Sequence, residues 1–215
     1  MRAASLGETP VSTRSRGRGS DSAATRRSIV DAAARLFSER GYATSSLSDI
    51  VAGTGMTKGA VYWHFPSKQD IALDIVRQMY ESWPALLKAT IEAHEDSLEA
   101  LVAVTYTAAE QFTQDLIVQA AKRLLAELPA EALVELPQPY VGWERALTAL
   151  IAEGQARGQI NTDIDAAGAA QVIVASFFGM QQVSYELTGR RDLEKRLDAF
   201  WTLARPRLQP PGRTV

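Results

Sequence analysis

Cysteine is absent from the 215-residue chain, and histidine occurs only twice, at His64 and His94. The first absence excludes disulfides, thiolate metal ligands and a thiol nucleophile, and makes a cytoplasmic protein the expectation. The second leaves too few imidazoles for a histidine-based metal centre, and His94 stands without a spaced carboxylate motif. Long apolar runs are missing too. The longest, Ala166 to Met180, is interrupted by Gln171 and Ser176 and falls short of the ~20 apolar residues of a membrane-spanning helix. No apolar N-terminal stretch has the form of a signal peptide. No G-x-S-x-G nucleophile turn occurs, and no constellation of acid, base and nucleophile stands out. The expectation is therefore no catalytic residue, no metal, no cofactor and no membrane.

Acidic and basic residues nearly balance, with 23 Lys+Arg against 25 Asp+Glu, but they are unevenly placed. Residues 1–70 hold 10 Lys+Arg and 6 Asp+Glu, a net +4, whereas residues 71–215 hold 13 and 19, a net −6. A basic first third on an acidic body points to a polyanion met by the first part alone. Arg14, Arg16 and Arg18 contribute to the skew from a Ser/Gly/Arg-rich stretch, so residues 1–21 are expected to be a disordered basic tail.

What remains reads as helix throughout, and no stretch alternates with period two between turns, so no sheet is expected. The first helix begins near Asp21 or Ser22, carries Ile29, Ala32, Ala33, Leu36 and Phe37 at 3–4 spacing, and stops at Gly41. A short helix with Leu47, Ile50 and Val51 follows, capped by Ser46 or Ser48. Gly53 and Gly55 break the chain, and Thr57 caps a second short helix that Pro66 ends. Ser67 caps a long helix in which Pro84 marks a kink or break. Later helices carry Leu98 to Phe112, Leu116 to Leu128, about Gln138 to Arg157, Asp165 to about Thr188 and Asp192 to about Arg205. The expected units are the tail 1–21, a DNA-binding unit 22–68, a ligand-binding and dimerisation unit 69–206, and a flexible tail 207–215.

The crowded segment MTKGAVYWHF, Met56–Phe65, decides the function class. Its glycines do not fit G-x-G-x-x-G, and Lys58-Gly59 reverses the order a P-loop needs. Two short capped helices joined by a Gly-containing turn, after a longer helix, form instead a helix-turn-helix pattern. The second helix has few inward positions, so Lys58, Tyr62 and His64 project outward. Its N-terminus at Thr57, Lys58 and Gly59 offers N–H groups and an ammonium to a phosphate, and Gly59 permits close approach. Trp63 is open between packing on the helix after Ser67 and lying at the DNA surface.

The stretch TRRSIVDAAARLFSERGYATSSLSDIVAGTGMTKGAVYWHFPSKQDI resembles the N-terminal domain of TetR family transcriptional repressors, in its D-I-V-A-x-x-G-M-T-K-G core and its Y-x-H-F-x-S-K continuation. Trp63 stands where that family usually has Phe or Tyr. The resemblance implies an all-α chain of nine to ten helices with a helix-turn-helix domain and a C-terminal ligand-binding and dimerisation domain. It implies DNA contacts from Thr25, Arg26, Tyr42, Ser46, Leu47, Ser48 and Lys68, besides Thr57, Lys58, Gly59, Tyr62, Trp63 and His64. The segments MYESWPALL, SLEALVAVTYTAAEQF, QAAKRLLAE, PQPYVGWERAL and ASFFGMQQVS are similar to the γ-butyrolactone autoregulator receptors of actinomycetes and their furan-binding relatives. There a Trp of the P-Y-x-x-W segment lines the pocket, which implies that role for Trp143.

On this reading a homodimer, one or two per site, binds double-stranded operator DNA as an approximate inverted repeat, and a small lipophilic lactone or furan releases it from antibiotic or secondary-metabolite genes. Tyr80, Trp83, Tyr140, Trp143, Phe177 and Phe178 are the expected aromatic lining of the pocket, with Thr105, Gln119, Gln181 and Tyr140 itself as polar anchors. Ala169, Val172, Ala175, Ser176 and Gly179, with Leu197 and Trp201 on the last helix, are the expected dimer contacts. The alternatives are a repressor of a multidrug efflux gene sensing diverse lipophilic compounds or antibiotics and, remotely, an enzyme with no DNA role.

Overall fold

A computed structural model describes the backbone of residues 15–134, 136–137 and 140–212, with side chains from residue 21 on. These residues form ten helices and no strand. Helix α1 spans Ser15–Arg40, α2 Leu47–Thr54, α3 Lys58–His64, α4 Lys68–Glu92 and α5 Ser97–Gln114; α6 spans Leu116–Glu127, α7 Ala130–Leu133, α8 Val141–Ala156, α9 Ala166–Thr188 and α10 Leu193–Leu208.

Local chemistry sets most of these boundaries. The side chains of Ser46, Thr57, Ser67, Asp96, Asp115 and Asp165 each accept a backbone N–H at the start of a helix, which satisfies donors that the helix itself leaves open. At Ser46 the cap is reciprocal, because Asp49 accepts the Ser46 N–H at 2.8 Å while the Asp49 N–H reaches Ser46 Oγ at 3.1 Å. Gly41 ends α1 at φ +87°, a left-handed conformation without penalty only for glycine.

Four boundaries differ from the sequence reading. Helix α1 is already formed at Ser15, so residues 15–21 are not a disordered tail, and residues 1–14 lie outside the described part. Extending an existing helix costs far less than nucleating one, so a stretch without an apolar stripe continues it. Pro84 lies inside an uninterrupted α4. Helix α8 starts at Val141, three residues after the expected Gln138, which itself lies outside the described part. Residues 207 and 208, expected in a flexible tail, belong to α10. Leu208 is buried, and the Asn161 N–H and Nδ2 donate to the carbonyls of Leu208 and Arg207, at 2.8 and 3.3 Å.

Helix α4 joins the two ends of the molecule. It packs on α1, α5 and α6, burying Ile71, Ala72, Ile75 and Val76 and then Met79, Trp83 and Leu87 on one side. Helix α6 packs on both α1 and α4, and α8 on α5 and α9. One continuous apolar cluster runs from Ile29 on α1 to Leu208 on α10.

Candidate nucleic-acid interface and small-molecule cavity

Helix α3 is too short to be stable alone and is held by two side chains, Val61 and Phe65, which are buried. Its other face is turned out. Tyr62 is 42% exposed and Trp63 75% exposed, which settles Trp63 as a surface residue rather than packing for α4. Lys58 lies in the open with its ammonium 5.5 Å from the Tyr62 ring centre, and a Cβ at Gly59 would meet no atom within 4 Å. His64 is half-buried and meets the Trp63 ring edge-to-face at 4.7 Å. Thr57 and Ser48 are exposed beside them, and Ser46 is exposed but its side chain is engaged in the α2 cap. Leu47 is half-buried against the core.

The remaining residues expected to contact DNA are committed to the protein. Arg26 makes a two-pronged ion pair with Asp74 of α4, at 2.8 and 2.7 Å, and lies 4.6 Å from the Phe65 ring centre. Lys68 donates to the carbonyls of Tyr42 and Ser45 at 2.7 and 2.8 Å and sits 3.9 Å from the Tyr42 ring centre. Burial pushes its ammonium below the ordinary lysine range, against the nearby Glu127. The Tyr42 N–H donates to Glu127 at 2.5 Å, and the Thr25 hydroxyl donates to the Asp21 carbonyl at 2.7 Å. The Thr25 bond stays within α1, and the others fasten α1 and the loop after it to α4 and α6. Sequence offers no spacing signal for them, because the partners of Arg26 and Tyr42 lie 48 and 85 positions away.

In the body, α4, α5 and α8 enclose a cleft of about 1060 Å³. Tyr80, Trp83, Pro84, Leu87 and Ile91 line it from α4, Ser97 and Ala100 from α5, and Trp143, Ala146 and Leu150 from α8. Trp83 and Trp143 meet edge-to-face at 5.0 Å. With Tyr80 they also wall a second chamber, of only about 20 Å³, completed by Met79, Phe112, Lys122, Leu125, Tyr140 and Phe178. The structure thus brings five of the six expected aromatics to these two spaces. Phe177 lies behind them, buried and stacked on Trp143 at 6.3 Å.

Of the four expected polar anchors, Tyr140 lines the small chamber and the other three are elsewhere. Thr105 accepts the Trp201 indole N–H at 2.8 Å in the seam between α5 and α10. Gln119 donates to the Thr113 carbonyl at 2.8 Å across the turn between α5 and α6. Gln181 is fully buried and bonded to the Phe178 carbonyl and to Arg190. Each has the polarity of an anchor, but each is consumed by an internal partner. Pro84, Leu87, Ile91, Ala146 and Leu150 were not anticipated in the lining; their helical spacing is indistinguishable from that of core.

Helices α9 and α10 leave an apolar face uncovered, with Val172 62%, Leu187 69% and Leu203 81% exposed. Ala175 and Gly179 are exposed on it, and Ala169 and Ser176 half-buried. Leu197 and Trp201 are not on this face, being 0% and 4% exposed within one chain. Among the described residues, no group of three or more acidic or histidine side chains is placed to hold a metal, and no helix is long and apolar enough to cross a membrane.

The sequence pattern of bacterial regulatory proteins of the tetR family matches residues 29–75, and that of the tetracyclin repressor-like C-terminal domain matches residues 95–210. The A-factor receptor protein of Streptomyces griseus is 34% identical over 190 residues, covering 87% of this chain, which spans 65% of that protein's length. A solved structure described as the molecular basis for control of antibiotic production by bacterial hormones superposes with a TM-score of 0.78 at 38% identity, covering 86% of this chain and 98% of its own. A γ-butyrolactone receptor described as ArpA-like does so with a TM-score of 0.73 at 31% identity, covering 89% and 91%. With the outward α3 on the first matched segment and the enclosed cleft beside the second, the chain belongs to the tetR family of bacterial regulatory proteins.

Proposed function

We propose that the protein is a cytoplasmic, dimeric repressor, without catalytic activity, that a small lipophilic effector releases from operator DNA. The observation that carries this is α3, a helix anchored by Val61 and Phe65 whose outer face consists of Lys58, Gly59, Tyr62 and Trp63. Its width suits a major groove, and its start puts free N–H groups and an ammonium where a phosphate lies. One such helix reads only a few base pairs. Two related by a two-fold axis read an approximate inverted repeat, and the uncovered face of α9 and α10 is the surface for that pairing. The effector, of lactone or furan type, binds in the cleft against Trp83 and Trp143, and the target genes concern antibiotics or other secondary metabolites.

Release requires that the effector bind one arrangement of the molecule better than the other. Helix α4 is the shared element. It carries Tyr80, Trp83 and Leu87 in the cleft wall, and Asp74 and Lys68 in the contacts to the DNA-binding unit. A shift of α4 on effector binding therefore carries α3 with it and changes the spacing of the two recognition helices.

The test is operator selection from random duplexes followed by gel shift. Lys58→Ala and Tyr62→Ala weaken binding to the selected operator by about tenfold, and Lys58→Ala lowers the salt dependence by about one ion. Trp143→Phe, a milder change than deletion of a buried ring, keeps operator binding and raises the effector dose needed for release. Unchanged operator affinity in both α3 variants would sink the assignment.

A further inference from the structure

Among the described residues, Lys122 and Arg190 are two cations without a counter-ion. Lys122 is half-buried on α6 and lines the small chamber. Its ammonium lies 5.7 Å from the Phe178 ring centre, and it makes no hydrogen bond or ion pair with any described residue. Arg190 follows α9 with φ +67°, a conformation rare for any residue but glycine. Its guanidinium is folded inward, 4.3 Å from the Tyr185 ring centre and 5.6 Å from that of Phe112, itself a wall of the chamber. Its one acceptor is the Gln181 side chain, at 3.3 Å, and its buried Nε has no partner.

Burial, and then the charge of Arg190, hold Lys122 below the ordinary lysine range, and burial lowers Arg190 as well. Like charges withdrawn from water without an acid are unfavourable, and the rings of Phe178, Tyr185 and Phe112 and the Gln181 side chain offset this only in part. Acids are at hand on the same helix, since Arg123, the next residue, is paired with Glu127 at 2.8 Å. The other polar groups of the chamber are also donors. The hydroxyls of Tyr80 and Tyr140 and the indole N–H groups of Trp83 and Trp143 bond to no described residue. Burial and the neighbouring Tyr140 push Tyr80 up to about 12, so it remains a protonated donor.

We propose that the effector is an acid whose carboxylate is held by Lys122 in the small chamber, under the positive charge of Arg190 beside the Phe112 wall, with its apolar body in the cleft beyond Trp83 and Trp143. The chamber's volume of about 20 Å³ admits roughly one water-sized group, enough for a small polar head but not for a ligand body. The cleft of about 1060 Å³ shares Tyr80, Trp83 and Trp143 with it and has room for the rest. This inference rests on the effector-released reading above and selects the acidic over the neutral members of that effector class. It also gives α6 a part in release, since the helix that carries Lys122 carries Arg123 and Glu127, whose bonds reach the Ser38 carbonyl and the Tyr42 N–H.

Decanoate, methyl decanoate and γ-decalactone, matched in their ten-carbon acyl part, separate charge from apolar size. Calorimetric titration of the full chain at neutral pH should show decanoate binding about tenfold tighter than either neutral compound, the scale of a charge-assisted hydrogen bond. Lys122→Met should remove that preference without weakening γ-decalactone. Lys122→Arg should keep it. Arg190→Gly, which suits the left-handed backbone, should reduce it. Equal or tighter binding of the neutral compounds, an acid preference that survives Lys122→Met, or no binding of any of the three overturns the proposal. Gel shifts with the selected operator keep the two readings apart. An operator that is bound, and released by γ-decalactone but not by decanoate, leaves the repressor intact and removes the acid; loss of operator binding by the wild-type chain removes the repressor itself.

Discussion

Lys58 and Lys68 are ten positions apart and have different work, for reasons found in their surroundings. Lys58 sits at the start of α3 with no acceptor on it among the described residues, so its charge is available to a phosphate. Lys68 sits at the start of α4, where the loop after α1 turns the carbonyls of Tyr42 and Ser45 toward it. Arg26 is diverted in the same way by Asp74. Thr105 follows this pattern among neutral residues, since its hydroxyl is the acceptor of the buried Trp201 indole. Thr105→Val keeps the shape and removes the acceptor, so it should cost about 1–3 kcal/mol, the price of an unsatisfied buried donor. Denaturant unfolding checks the loss, and an unchanged effector dose in gel shifts checks that Thr105 is outside the cavity.

Among the elements, the junction of α1, its following loop and α6 is closely fitted. Gly41 lies where a Cβ would come within 2.6 Å of Glu127 Oε1 and 2.8 Å of an Arg123 nitrogen, and its φ of +87° is strained for any other residue. Glu127 accepts the Tyr42 N–H, and Arg123 donates to the Ser38 carbonyl at 2.9 Å. Gly41→Ala should therefore destabilise the chain by about 1–2 kcal/mol through the left-handed backbone alone. Displacement of the Glu127 carboxylate adds to this and loosens the loop that leads into α2. The unfolding midpoint and the operator affinity should fall together; a stability loss with unchanged operator affinity would show that the α6 contact does not position the DNA-binding unit.

At the scale of the whole molecule, the exposed apolar side chains of α9 and α10 set the proposed dimer apart from the core of one chain. Val172, Leu187 and Leu203 remain open, while Leu197 and Trp201 are already used internally. A contiguous apolar face of this kind marks an association surface. Leu203→Glu should leave the fold intact, since the residue is 81% exposed, yet yield a monomer by light scattering. Operator affinity should then drop by at least about a hundredfold, because half of the two-fold contact is lost. Retention of the dimer would place its interface elsewhere.

What the sequence alone determined is whatever depends on near neighbours. Caps at Ser46, Thr57, Ser67 and Asp165, stops at Gly41 and Pro66, and the apolar spacing around Val61 act within about one helical turn, and so the all-α class, the recognition helix and its outward face were all legible. The aromatic character of the pocket was legible too, because Tyr80, Trp83, Tyr140 and Trp143 stand at fixed places in segments that resemble known receptors. Only the tertiary structure decided which polar residues are free. Arg26, Lys68, Thr105, Gln119 and Gln181 look available in the sequence but are satisfied, the first three by partners dozens of positions away that folding brings close. Lys122 and Arg190, unmarked in the sequence, are left without an acid among the described residues. A hydrogen bond needs its partner within about 3 Å, and for residues dozens of positions apart only the packing of α1, α4, α5, α6, α9 and α10 sets that distance.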